Sequence, residues 1–333
     1  MTSKKLLLLI FLAALVFVGL MGYGDFRDVG GKVANFPISY LFAALGLAAL
    51  NYLLRFFRWT YYLKVLKIQV PLRTSLLIFL SGLALSLTPG KVGELVKSYL
   101  LKGRSGVSIS ASAPVVVMER ATDVFAVVLV GLSGLLLLPT SIRWAMVAIL
   151  VLCASGILLL ASRYSQHLFQ LPFIRRWKDN LLVSQDGVRL LSAPRPLLVA
   201  VVLGTTAWLS EGVAFWIILK GLEAEVPFLQ ALPIYTAATI IGAISTLPGG
   251  LVGTEGTMLA LLQQAEVGRA VASTSTLLVR LVTLWFGVIV GLAALGWLQQ
   301  SRPVRWPFPG RVRKAAGSAS QPSALPQKDQ PVS

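Results

Sequence analysis

The chain has 333 residues, of which 56% are hydrophobic and 13% charged; 30 Lys and Arg stand against 13 Asp and Glu, a formal net charge of +17. A soluble domain carries about 25% charged residues, so a water-facing surface of the size this chain would need is excluded and a membrane class is expected. The basic residues gather at the ends of apolar runs, which is the pattern of membrane topology and anionic-lipid contact and argues against nucleic acid as a partner.

The N-terminus reads Lys4-Lys5 and then an apolar run to Gly22. No small-x-small cleavage pattern follows clearly, so the run is read as an uncleaved first transmembrane helix with its N-terminus inside, not as a signal peptide. A spanning helix needs about 20 apolar residues, which places full spans at 6–22, 38–57, 109–138, 142–162, 196–219 and 270–298. Cys153, inside one of these runs, has no second cysteine to pair with and reads as a packing residue. His167 is the one histidine and has no partners for a metal site, and no cofactor is expected.

Segments 73–103 and 228–266 differ from the others. Each holds an apolar stretch, a Pro-Gly break and a second short helix. The first break reads Ser86-Leu87-Thr88-Pro89-Gly90-Lys91-Val92-Gly93-Glu94, and the second Ser245-Thr246-Leu247-Pro248-Gly249-Gly250-Leu251-Val252-Gly253-Thr254-Glu255. Proline removes a backbone donor and glycine relaxes the backbone. Irregular backbone at membrane depth survives only where protein or a water-filled cavity surrounds it.

The breaks belong to an internal repeat. Pro89 and Pro248 are 159 residues apart, Arg120 and Arg280 are 160 apart, and Val70-Pro71 precedes Val226-Pro227 by 156. Landmarks in one order at nearly one offset mark a duplicated unit. If each broken segment is a re-entrant hairpin, six full spans leave both termini cytoplasmic. Lys and Arg then divide as 21 inside, with Arg55 and Arg58 among them, and 5 outside; Lys91, Lys97, Arg120 and Arg280 are left at membrane depth. That division satisfies the positive-inside rule, and it makes one hairpin enter from each side. The expected fold is an all-α polytopic membrane helix bundle with inverted repeats and two re-entrant broken helices.

The expected domain is one transmembrane unit over 1–300, with repeat one at about 38–138 and repeat two at about 194–298. A basic tail at 301–333, rich in Pro, Ser and Gln, is expected to be disordered and cytoplasmic, with its start, through Lys314, touching anionic headgroups. In the connector 163–195, Phe173-Ile174-Arg175-Arg176-Trp177-Lys178 suits an interfacial helix or a plain solvated loop.

Ionisable residues deep in a membrane are costly and face a partner or a cavity. Lys91 and Glu94 lie at the first break, Glu119, Arg120 and Asp123 in the helix after it, and Glu211, Glu255 and Arg280 in the second half. Glu119 and Asp123 are four apart and share a helix face, while Arg120 sits about 100° around it. Two readings stand. Each Glu caps its own short helix or ties an Arg to hold two helices together. Alternatively, both short helices aim their N-termini at the bilayer midplane as an anion site. Arg120 and Arg280 then add charge suited to phosphate, and Glu94 and Glu255 hold those arginines or carry protons. The candidate substrate-binding set is Pro89, Gly90, Lys91, Gly93, Glu94, Glu119, Arg120, Asp123, Glu211, Pro248, Gly249, Gly250, Gly253, Glu255 and Arg280. Gly287-Val-Ile-Val-Gly291 is a GxxxG pattern and reads as helix packing.

Thr88-Pro89-Gly90-Lys91-Val92-Gly93-Glu94, Met118-Glu119-Arg120-Ala121-Thr122-Asp123 and Leu247-Pro248-Gly249-Gly250-Leu251-Val252-Gly253-Thr254-Glu255, followed by Arg280, together resemble the lysylphosphatidylglycerol synthase transmembrane (flippase-like) domain family. The likeness covers roughly 5–300. In bifunctional members this type of domain is linked to lipid flipping, and a separate soluble domain makes the aminoacylated lipid. The resemblance therefore implies a stand-alone flippase-like protein, not a synthase. Lys91 stands where an Arg is often seen in the first motif, which keeps a cation and changes its geometry.

The expected function is a lipid flippase or transporter, not an enzyme. It would move a phospholipid, aminoacyl-lipid or polyprenyl/glycolipid headgroup across the cell inner (plasma) membrane through a polar cavity between the repeats. Membrane lipids with anionic headgroups are the expected partners, with a homo-oligomer or lipid-synthesis enzymes also open. The alternatives are a non-transporting accessory protein, or a membrane enzyme, of cell-envelope lipid or glycolipid synthesis. No Ser-His, Cys-His or His-rich constellation supports the enzyme.

Overall fold

A computed structural model describes residues 3–86, 88, 94–162 and 178–301. Within them the chain is helical, without strands. The helices are α1 (Ser3–Tyr23), α2 (Phe26–Ala34), α3 (Ile38–Val65), α4 (Leu72–Leu83), α5 (Val96–Ser105), α6 (Ile109–Gly131) and α7 (Thr140–Ala161). They continue as α8 (Lys178–Leu191), α9 (Pro194–Gly221), α10 (Phe228–Ile244), α11 (Gly253–Gln264), α12 (Arg269–Arg280) and α13 (Phe286–Ser301). Helices α3, α4, α7 and α10 each start directly after a proline, at Pro37, Pro71, Pro139 and Pro227. A proline there has no N–H to leave unsatisfied and sets the chain's entry angle.

Helices α3, α7, α9 and the continuous run Arg269–Gln300 are long and apolar enough to cross a membrane. The other two expected spans correspond to α1, with 21 residues, and α6, with 23. Helix α6 has the length but carries Glu119, Arg120 and Asp123, and a six-residue 3₁₀ turn, Leu132–Leu137, follows it. Nearly all of α7 is uncovered by protein, with Trp144, Leu152 and Leu158 exposed, as a helix facing lipid would be.

The broken segments are short. Helices α4 and α11 have 12 residues each, α5 has 10 and α10 has 17. At about 1.5 Å per residue none reaches the about 30 Å of a hydrocarbon core. The second break is an irregular stretch in which Thr246, Gly249, Gly250 and Val252 all have positive φ. Gly249 and Gly250 accept that backbone without penalty, whereas Val252, a β-branched residue at φ 69°, holds it under strain. The first break, at Leu87 and Pro89 to Gly93, lies outside the described residues.

Helices from the two halves of the chain pack on one another. Helices α3 and α9, which open the two repeats, pack along each other. Helix α4 packs on α13 of the other repeat, and α10 packs on α6. The α4–α13 contact depends on Gly291, where a Cβ would run into the Ala84 backbone and lie 2.9 Å from the Leu80 carbonyl oxygen. The GxxxG pattern is a packing seam. Gly291→Leu is expected to cost about 1–3 kcal/mol and to lower the melting temperature in detergent. Gly46→Leu, where no atom lies within 4 Å of the added Cβ, should leave it unchanged.

Two stretches come out differently from a simple span-and-loop reading. Helix α2 was not expected. Of the connector, residues 163–177, with His167 and most of the basic-aromatic run, lie outside the described residues. The remainder forms α8, a packed helix and not a solvated loop. Gln185 and Arg189 donate to the carbonyls of Ser162 and Ala161 at 2.6 and 2.7 Å, closing the end of α7. The tail from 302 onward also lies outside the described residues.

The apolar core is divided. One cluster holds Trp59, Tyr62, Phe79 and Met118, and the other Ala126, Val127, Phe215 and Tyr235. Both α3 and α6 run through the two. Along α6, Met118 belongs to one cluster and Ala126 to the other, with Glu119–Asp123 between them. Along α3, Ala48 and Phe56 bracket Asn51, Tyr52 and Arg55 in the same way. A polar layer therefore lies between two apolar ones.

Candidate functional site

The polar layer is built by helical spacing. Asn51, Arg55 and Arg58 fall at i, i+4 and i+7 on α3, on one face. Arg55 and Arg58 meet Asp123 of α6, and Asn51 donates to the Ala207 carbonyl of α9 at 2.8 Å. Asp123 is the hub: its carboxylate accepts from Arg58 at 2.6 Å, and Arg120 and Arg55 lie 2.8 and 3.7 Å from its second oxygen. Arg58 also donates to the Thr122 hydroxyl at 3.2 Å. Glu94, just past the first break, pairs with Arg120 at 3.0 Å. Lys97, on the first turn of α5, pairs with Glu119 at 2.5 Å and Glu94 at 3.7 Å, its ammonium lying over the Trp59 and Phe79 rings. The Lys97 stem crosses Gly82, where a Cβ would lie 2.9 Å from it.

The second repeat is simpler. Arg280, the last residue of α12, lies 2.6 Å from a Glu255 oxygen and donates at 2.6 Å to the carbonyl of Gly249. It thereby ties the strained break to the long helix. Directly after Arg280 the helix widens into a π turn, Leu281–Trp285. Such single π turns inside helices are frequent at functional sites. Here the Tyr52 hydroxyl donates to the Thr283 carbonyl at 2.7 Å. Glu211, on α9, accepts from the Tyr235 hydroxyl at 2.5 Å.

Two cavities open onto this layer. One, of about 100 Å³, is lined by Arg55, Glu211, Tyr235, Thr254 and Arg280. The other, of about 240 Å³, is lined by Arg120, Asp123 and Leu247. Trp208, Thr239, Gly242, Ala243, Gly249 and Gly250 line both, so one thin wall divides them.

The candidate residues are thus partly gathered. Arg120, Asp123, Glu211, Gly249, Gly250 and Arg280 face a cavity. Glu94, Glu119 and Glu255 stand behind them as buried counter-charges. Pro248 and Gly253 shape the second break. Pro89, Gly90, Lys91 and Gly93 lie outside the described residues. Residue order alone misplaced two groups: Arg55 and Arg58 are not inner-side topology residues but buried members of the charged layer. Without them the expected inner side still has 19 Lys and Arg against 5. Their spacing of three, pointing at one face, was the available signal. Lys97, Tyr52 and Tyr235 were missed as parts of the site for want of such a signal.

The fold and its layer define a polytopic α-helical integral membrane protein whose ionisable residues are paired in its interior. The chain belongs to the family described as the lysylphosphatidylglycerol synthase TM region, whose model matches residues 8–291. It is similar to a UPF0104 membrane protein of Methanothermobacter thermautotrophicus, 24% identical over 87% of this chain and 93% of that protein. It is also similar to one of Pyrococcus horikoshii, 25% identical over 86% of this chain and 95% of the relative.

Proposed function

We propose that this protein moves lipid headgroups across the cell inner membrane through the space between its two repeats, while the acyl chains stay in the bilayer. The observation that carries this reading is the pair of cavities, the larger lined by Arg120 and the smaller by Arg55 and Arg280, divided by a single wall at the second break. Short helices broken in corresponding halves, with binding between the repeats, are the architecture of secondary transporters. The reciprocal packing of α4 on α13 and α10 on α6 supports two repeats inserted in opposite senses as re-entrant hairpins, and the division of Lys and Arg supports both termini being cytoplasmic. The partners are membrane lipids with anionic headgroups, and the protein translocates them without chemical change. Association with itself or with lipid-synthesis enzymes fits the same role. The ion pairs Glu94–Arg120 and Glu255–Arg280 favour a second reading, a non-transporting accessory protein held together by buried charge.

Reconstitution separates the two. Proteoliposomes carrying fluorescent phosphatidylglycerol should show movement between leaflets that Arg120→Gln reduces by about tenfold or more, as expected when a charge-assisted phosphate contact is lost. Normal movement in correctly inserted Arg120→Gln and Glu94→Gln proteins would take these residues out of the path, and no protein-dependent movement in the wild type would leave the accessory reading. Covalent change of the lipid would instead make the protein an enzyme.

A further inference from the structure

We propose that Arg55 and the indole N–H of Trp208 together bind a phosphate-type oxyanion in the smaller cavity, at the wall where the two cavities meet. The inference rests on the reading of this space as a headgroup path and adds two residues that the repeat landmarks do not include.

Arg55 is a cation whose counter-charge is spent elsewhere. Its ion pair is with Asp123, at 3.7 Å, on the oxygen that Arg120 holds at 2.8 Å, while Arg58 takes the other oxygen at 2.6 Å. One carboxylate thus serves three guanidinium groups, and Arg55 is the farthest from it. Its Nε has no hydrogen-bond partner among the described residues. An arginine carries five N–H donors in a fork that matches phosphate geometry. A buried guanidinium this poorly satisfied beside a cavity is poised to accept a second anion.

Trp208 supplies an independent observation. It is only 6% exposed, and its Nε1 has no acceptor among the described residues. Buried indole N–H groups ordinarily find a partner, and leaving one unmade costs about 1–3 kcal/mol. Trp208 lines both cavities, and Arg55 lines the smaller one beside it. A cation and an N–H donor with no acceptor, at one small polar space, call for an acceptor-rich anion. Glu211 lines the same cavity and accepts from Tyr235; its carboxylate opposes an oxyanion there, and the Arg55 and Trp208 donors are what attract one.

The test is isothermal titration of the purified full-length protein in detergent with dihexanoylphosphatidylglycerol, inorganic phosphate and uncharged dihexanoylglycerol. The phospholipid should bind, and Arg55→Gln and Trp208→Phe should each weaken it by about tenfold or more, the scale of a hydrogen bond to a charged group. Arg55→Lys keeps the buried charge should Arg55→Gln fail to fold, and it should bind more weakly than wild type because it lacks the fork. Trp285→Phe is the control: its indole nitrogen is also without a partner, but it lies on neither cavity, so binding should not change. Phosphate binding with the same pattern of losses would make free phosphate sufficient; binding of the phospholipid alone would assign the oxyanion to a lipid headgroup. The proposal is overturned if Trp208→Phe and Arg55→Lys bind as wild type does, if the uncharged lipid binds equally well, or if nothing binds. A protein that binds with this pattern yet moves no lipid overturns transport and leaves the site. Lipid movement untouched by Trp208→Phe and Arg55→Lys overturns the site and leaves transport.

Discussion

Asp123→Asn is expected to be among the most destabilising conservative substitutions in this protein, lowering stability by about 3–5 kcal/mol, the usual consequence of removing one partner from a buried charge pair. The amide has the same shape as the carboxylate and lacks its charge. Arg58 is fully buried and 2.6 Å from Asp123, and no other carboxylate forms an ion pair with it among the described residues. Among the described residues Arg55 also forms its ion pair with Asp123 alone. Two buried guanidinium groups would lose their counter-charge in one step, in a low-dielectric layer between two apolar clusters. Thermal melting in detergent should show a large drop and a loss of monodisperse protein. Glu94→Gln should do much less, because Arg120 keeps Asp123 at 2.8 Å. Adding Arg58→Met to Asp123→Asn should recover much of the loss, since replacing a buried pair with apolar groups is often neutral or better. Equal melting of Asp123→Asn and wild type would show that the arginines are neutralised elsewhere.

Arg280→Gln is expected to abolish headgroup movement while leaving the protein inserted and folded. Arg280 does two things at once. It neutralises Glu255 and it holds the Gly249 carbonyl, at 2.6 Å in each case. Gly249 lies on the wall shared by both cavities, so the substitution removes a cavity cation and releases the strained break together. The folded state should survive better than in Asp123→Asn because Arg280 is a single pair at the cavity edge, not a hub. Arg280→Lys keeps the charge, but a lysine cannot present two N–H groups in a planar fork to a carboxylate and a carbonyl. It should retain only a fraction of the transport. The readout is leaflet exchange of fluorescent phosphatidylglycerol in proteoliposomes, with insertion checked by protease protection. Wild-type rates in Arg280→Lys would mean that charge alone suffices and that the tie to the break is incidental.

The repeat landmarks and the site differ in how openly the sequence displays them. Pro71 and Pro227, or Arg120 and Arg280, are visible because each recurs at nearly one offset. Arg55 and Arg58 have no such counterpart; their corresponding helix carries Glu211 instead. Placed near the end of an apolar run, they looked like topology signals. The helix continues to Val65, seven residues past Arg58, and this extra length carries both arginines inward. Lys97 reads only as a cation left at membrane depth until Gly82, on a neighbouring helix, is seen to leave room for its stem.

Composition and hydropathy were enough to place this chain in a bilayer, and the sequence also shows that its apolar segments are unequal and that two of them carry a Pro-Gly pair at corresponding offsets. Those properties are local: apolar run length measures the membrane, and proline and glycine mark irregular backbone wherever they fall. The tertiary structure alone decided which charges meet. Whether Asp123 answers Arg58 or Arg120, and whether Trp208 faces lipid or a cavity, depends on the rotation and packing of helices far apart in sequence. A side chain's neighbours across a helix interface are set by those rotations, and a linear pattern records only the neighbours on its own turn.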